Sequence, residues 1–61
     1  MKFGEMKKWT ERFNQIRGAA QIFKYQRLDI MLNDLALAHG PNDFYARQMY
    51  LAIMDEMEGA R

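Results

Sequence analysis

The segment from His39 to Asp43 is the only strong interruption in a chain that otherwise favours helix. Gly40 suits the left-handed position just past a helix end. Pro41 has a fixed φ and no N–H, so it fits the first turn of a new helix. Asn42 or Gly40 is a candidate N-cap, and Asp43 beside it favours the helix dipole. The break therefore predicts two helices joined by a short connection and folded back antiparallel.

The amino-acid usage on both sides of this break predicts an all-α fold. The 61 residues include no Ser, Val or Cys, and Thr10 is the only Thr. Strands favour β-branched residues, whereas the Ala, Leu, Met, Gln, Lys, Arg and Glu that dominate here favour helices. A chain this short forms one small domain, residues 1–61, and buries only ~60% of the surface it exposes when unfolded. Without disulfides, oligomerisation is the supplement we expect.

Apolar residues recur at helical spacing on both sides of the break. After it they predict a helix over about 43–58, and before it they cover more than one face, which predicts a central position in a bundle. Ile30 and Leu37 lie away from the main stripe of the segment before the break. The stripe after the break contains Ala46, Met49, Tyr50, Ile53 and Met57; the stripe before it contains Leu28, Met31, Leu32, Leu35 and Ala36.

Further upstream, apolar residues follow an a/d heptad pattern that crosses Gly18 without losing register. Gly18 costs ~1 kcal/mol relative to Ala inside a helix, which does not by itself end one. We therefore predict one long helix over about 5–38, which forms a helical hairpin with the shorter helix. A three-helix bundle broken at Gly18 is the alternative. The pattern comprises Met6, Trp9, Phe13, Ile16, Ala20 and Phe23.

The long helix has a consequence for oligomeric state. It spans ~50 Å, about twice the length of its partner, so its N-terminal stripe has no cover within the monomer. Large apolar side chains each contribute ~1.5–3 kcal/mol when buried, so a second copy should cover them. The chain is therefore predicted to be a homodimeric bundle. The predicted self-association residues are Met6, Trp9, Phe13 and Ile16.

Charge is distributed unevenly along the chain, although the net charge is only +1. Residues 1–27 hold seven of the nine Lys/Arg, whereas residues 28–61 hold six of the eight Asp/Glu. In a hairpin, Lys24 and Arg27 should meet Asp55 and Glu58. The remaining basic residues define a candidate nucleic-acid contact, less favoured because the chain is near neutral overall. These contact residues are Lys7, Lys8, Arg12 and Arg17.

Catalysis is not expected. The chain has no thiol and one aliphatic hydroxyl, so groups for nucleophilic catalysis are nearly absent. His39 is expected to cap helix carbonyls, and a lone His cannot form a zinc site. We expect no metal, cofactor or small-molecule substrate. The N-terminus does not resemble a signal peptide and no apolar stretch is long enough to span a membrane, so a cytoplasmic location without membrane association is expected.

These considerations predict a non-enzymatic protein that binds another protein, such as a regulator, adaptor or inhibitor. Met and aromatic residues are dense for so short a chain, and both are common at binding surfaces. The candidate partner surface lies off the main stripe of the second helix. Nucleic-acid binding is one alternative, and a structural subunit of a larger assembly is another. The predicted partner-binding residues are Phe44, Leu51 and Met54, rimmed by Arg47 and Asp55.

Overall fold

A computed structural model describes residues 2–40 and 42–60, and over these ranges it contains three α-helices and no strand. Each helix packs against the other two. The predicted all-α class is confirmed, as is the alternative of a three-helix bundle. The second predicted helix, over about 43–58, is displaced by one residue at each end. The helices are α1 (Phe3–Arg17), α2 (Gln21–Ala38) and α3 (Phe44–Gly59).

One hydrophobic core lies between the three helices. Its centre is made by fully buried side chains from α2 and α3, including Leu28 and Ile53. Phe13 and Ile16 of α1 close the core from the third side, with exposures of 9% and 7%. The core positions therefore come from the stripes that the sequence predicts. Among the described residues, the cluster of buried side chains in this core is Phe13, Ile16, Leu28, Met31, Leu35, Ala46, Met49 and Ile53.

The long helix predicted over about 5–38 is wrong, because the chain turns between Arg17 and Gln21. The molecule extends 31 Å along its longest axis, which cannot contain a helix of ~50 Å. At the turn, Ala20 adopts an extended backbone with φ −59° and ψ 141°. Folding α1 back allows the apolar stripe to be buried within the monomer. That burial exceeds the few tenths of a kcal/mol by which alanine-rich sequence favours continuing the helix.

Asp43, not Asn42 or Gly40, is the N-cap of α3. Its Oδ1 accepts a hydrogen bond from the backbone N–H of Ala46 at 3.0 Å. A short acidic side chain at this position satisfies one of the free N–H groups in the first turn. This cap fixes where α3 begins and therefore which side chains it turns outward. The predicted place of Pro41 in the first turn lies outside the described residues.

The outer side of α2 is exposed, which corrects the prediction that this segment sits at the centre of the bundle. Leu37 is 88% exposed and Ile30 is half-exposed. A three-helix bundle surrounds none of its helices, because each one contacts two neighbours and leaves its remaining face to solvent. The apolar residues off the main stripe of α2 are therefore surface residues.

Candidate protein-interaction surface

The five residues predicted to bind a partner are located at the N-cap end and along the outward side of α3. This helix turns Ala46, Met49 and Ile53 into the core, so positions on the opposite side of its 3.6-residue turn face solvent. Large apolar side chains lie among them, with Phe44 at 68%, Leu51 at 63% and Met54 at 52% exposure. Arg47 and Asp55 are exposed as well.

Two shallow grooves run beside this face, between α2 and α3. The larger has a volume of about 410 Å³ and is lined by Ala36, His39, Arg47, Tyr50 and Leu51. The smaller, of about 190 Å³, is lined by Leu32, Met54, Met57 and Glu58. Ala36 lies one turn beyond Leu32, so both grooves follow the same side of α2.

Three of the five predicted residues line one or the other of these grooves. Leu51 and Arg47 line the larger groove, and Met54 lines the smaller. Phe44 and Asp55 do not line either one. Phe44 packs instead edge-to-face on Tyr45, with ring centroids 5.6 Å apart and an interplanar angle of 79°. The structure therefore gives Leu51 and Met54 central positions and leaves Phe44 at the margin.

The sequence predicts that His39 caps helix carbonyls, but its side chain lies where all three helices meet. Its Nε2 lies 3.4 Å from Oε2 of Glu5, and its Nδ1 lies 3.9 Å from Oδ2 of Asp43. Its ring also meets Trp9 edge-on, with centroids 6.4 Å apart. The sequence has no signal for this cluster, since residues 5, 9 and 39 meet only when α1 folds back. His39 also lines the larger groove, so the junction supports one end of the candidate surface.

The stripe assigned to self-association is covered within the monomer. Phe13 and Ile16 belong to the core, and Met6 and Trp9 pack against it. The argument that a second chain must cover these residues depends on the long helix. Because that helix does not form, the argument no longer applies. Contact of this stripe with a second copy stays a prediction.

The predicted nucleic-acid residues fall into two groups. Arg12 Nη2 donates a hydrogen bond to Oδ2 of Asp34 at 2.8 Å, and Arg17 Nε lies 3.6 Å from Oε2 of Glu56. Lys7 and Lys8 are exposed on α1. Half of the candidate basic surface is thus engaged in ion pairs between helices.

Basic residues from the first half of the chain form ion pairs with an acid of α3, but this acid is not one of the two that the sequence predicts. Lys24 Nζ lies 2.7 Å from Oε1 of Glu56, and among the described residues neither Asp55 nor Glu58 makes an ion pair with Lys24 or Arg27. The hydrogen bond from Lys24 lowers the pKa of Glu56 below its ordinary value, and the charges of Lys24 and Arg17 act in the same direction against desolvation. Asp55 and Glu58 remain on the outer side of α3.

None of the helices in the described part of the chain is both long and apolar enough to cross a membrane. Comparison with known proteins finds no matching family model, no similar curated protein and no similar solved structure. The functional argument therefore depends on the residues of this chain alone.

Proposed function

We propose that this protein is a small, non-enzymatic protein-interaction module that binds a partner along the outward side of α3 and the adjoining α2–α3 grooves. The observation that carries the proposal is the exposure of Leu51 and Met54, each more than half exposed, on a helix whose opposite side packs into the core. Large apolar side chains exposed side by side are a common property of binding surfaces.

The dimensions of this surface favour a helical partner. Leu51 and Met54 are three residues apart, so they project from adjacent turns of α3, and each borders one groove. An amphipathic helix binds such a surface by placing side chains at i, i+3, i+4 and i+7 into successive depressions. The flexible thioether of Met54 can adapt its shape to the side chain that it meets.

Charge at the two ends of the surface would orient the partner. Arg47 lies one turn before Leu51, whereas Asp55 follows Met54 directly. Exposed charges contribute more to orientation and association rate than to affinity. A partner helix with an acidic residue near Arg47 and a basic residue near Asp55 would therefore be preferred in one direction.

The test is affinity capture from the native host with three versions of the chain. The first is the wild type, and the second carries Phe44→Ala, Leu51→Ala and Met54→Ala. The third carries the matched control substitutions Ile22→Ala, Ile30→Ala and Leu37→Ala, which remove exposed apolar groups from α2. We expect captured proteins to be lost with the α3 variant and retained with the α2 variant. Equal capture by all three versions would refute the proposal.

The finer role, as regulator, adaptor or inhibitor in the cytoplasm, depends on which partner is captured. Nucleic-acid binding through Lys7, Lys8, Arg12 and Arg17 stays a prediction, as does a place as a subunit of a larger assembly. An anisotropy titration at two salt concentrations tests the first of these, because phosphate contacts weaken steeply with salt.

A further inference from the structure

Four exposed residues of α3 form one continuous stripe along the helix. They are Arg47, Leu51, Met54 and Glu58, and we call them the α3 stripe. The successive spacings of four, three and four residues keep them on one side of an α-helix. Leu51 and Met54 also border the two α2–α3 grooves.

The order of chemical types along the α3 stripe is self-complementary. It runs basic, apolar, apolar, acidic from the N-terminal to the C-terminal end. Its midpoint lies between Ala52 and Ile53. When two such helices lie antiparallel about a two-fold axis at that midpoint, Arg47 of each copy faces Glu58 of the other. Leu51 likewise faces Met54. A two-fold interface requires this kind of self-complementarity, because both copies use the same surface.

The two terminal charges are available for such pairing. Among the described residues, neither Arg47 nor Glu58 makes an ion pair or hydrogen bond through its side chain. Arg17 and Lys24, which form ion pairs with α3, both pair with Glu56. Two charges of opposite sign, neither of them paired within the described part of the monomer, therefore flank an apolar centre.

We propose that the occupant of this surface is a second copy of the chain, docked antiparallel along the α3 stripe. The inference rests on the proposed function, since it names the partner of the same surface. Each copy would place its Leu51 and Met54 beside the grooves of the other, where Tyr50 and Met57 supply further partly buried apolar contact. A foreign helix docked antiparallel would need the same basic–apolar–apolar–acidic order to match, and the chain itself supplies it.

Sedimentation velocity with charge-reversed variants tests the arrangement. Arg47→Glu puts two acids opposite each other in the antiparallel pair, and Glu58→Arg puts two bases opposite each other. Each variant alone is expected to dimerise about tenfold more weakly than wild type, because both symmetry-related contacts become repulsive. An equimolar mixture of the two is expected to form a heterodimer, and the double variant a homodimer, because the charges are then complementary again. Circular dichroism checks that each variant retains its helices.

The outcomes separate the two proposals. A wild-type chain that stays monomeric at all concentrations overturns the antiparallel dimer. If capture of other proteins then still depends on Leu51 and Met54, the proposed function survives. A dimer that neither charge reversal weakens, or that the mixture fails to restore, also overturns the arrangement. If the mixture restores the dimer, the antiparallel arrangement is supported. That conclusion holds even if the alanine variant of α3 retains every captured protein, a result that refutes the wider binding function alone.

Discussion

Lys24 Nζ lies 2.7 Å from Oε1 of Glu56, and this contact joins the first turn of α2 to the last turns of α3. Arg17 approaches the same carboxylate from the end of α1, with its Nε 3.6 Å from Oε2. One acid thus connects all three helices at this end of the bundle. The two cations also offset the unfavourable placement of this acid near a helix C-terminus, where the backbone carries negative partial charge.

This arrangement predicts acid-sensitive stability. Because the folded state lowers the pKa of Glu56, the carboxylate contributes its stabilisation fully above its ordinary pKa of 4.5. That contribution is lost as the pH falls through the lower pKa of the folded state. Urea unfolding between neutral pH and about pH 3 should therefore show a smaller loss of stability for Glu56→Gln than for wild type.

Glu11→Gln is the matched control, since Glu11 is exposed on α1 and has no ion pair among the described residues. This variant should lose stability with acid as the wild type does. Equal acid sensitivity of Glu56→Gln and wild type would show that the contact with Lys24 has no energetic effect.

The core predicts a sharp contrast between two leucines of α2. Leu28 is fully buried, so Leu28→Ala should destabilise the fold by ~2–5 kcal/mol through lost burial and the cavity it leaves. Leu37 is 88% exposed, and Leu37→Ala should change stability by no more than ~0.5 kcal/mol. Urea unfolding followed by circular dichroism measures both. Similar effects at the two positions would contradict the placement of α2.

The helix N-caps predict changes of opposite sign. Ala20 is the N-cap of α2 and makes no side-chain cap, so Ala20→Asn should stabilise the protein by ~1 kcal/mol. Asp43 caps α3 through the N–H of Ala46, and Asp43→Ala should cost ~0.5–2 kcal/mol. Thermal unfolding of the two variants provides the comparison. A destabilising Ala20→Asn would mean that α2 begins elsewhere.

The junction of the helices predicts a change in the fluorescence of Trp9. His39 meets the Trp9 ring at an interplanar angle of 72°, and such a contact contributes ~0.5–1.5 kcal/mol beyond the area that it buries. His39→Ala should shift the emission of Trp9, the only tryptophan, towards that of an indole in water. His39→Phe retains an aromatic ring and should shift it less. Emission spectra of both variants that are identical to the wild-type spectrum would show that the two rings do not pack.

The sequence identifies what is buried more reliably than it identifies how the chain turns. The stripes containing Phe13, Leu28 and Ile53 are predicted from spacing alone, and all three residues lie in the core. The turn after Arg17 is predicted only as the alternative, because Gly18 alone marks it and no Pro, Ser or Asp lies beside it. Ala19 and Ala20 favour helix locally, so only the tertiary gain from burying the α1 stripe makes the chain fold back.

In the candidate surface, likewise, exposure can be predicted from the sequence, whereas contacts between helices cannot. Exposure of Leu51 and Met54 is predictable, because both fall off the main stripe of a clear amphipathic helix. The grooves beside them depend on how α2 and α3 pack, and the contacts of His39 depend on α1 returning to residue 39. Contacts between distant residues require the helix arrangement, which one sequence leaves open between a hairpin and a three-helix bundle.

The turn between α1 and α2 gives a direct test of what makes the chain fold back. Gly18 has φ −82° and ψ −5°, which any residue can adopt, and an added Cβ would meet the carbonyl oxygens of Gln15 and Asn14 at ordinary distances of 3.6 and 3.8 Å. If packing of the stripe causes the turn, Gly18→Ala should keep the compact fold and raise stability by ~0.4–1 kcal/mol, because alanine restricts the unfolded chain. Gly18→Pro should destabilise it, since the N–H that donates to the Asn14 carbonyl is lost. A higher frictional ratio for Gly18→Ala in sedimentation velocity would mean that α1 and α2 have joined into one long helix, and that the glycine itself maintains the turn.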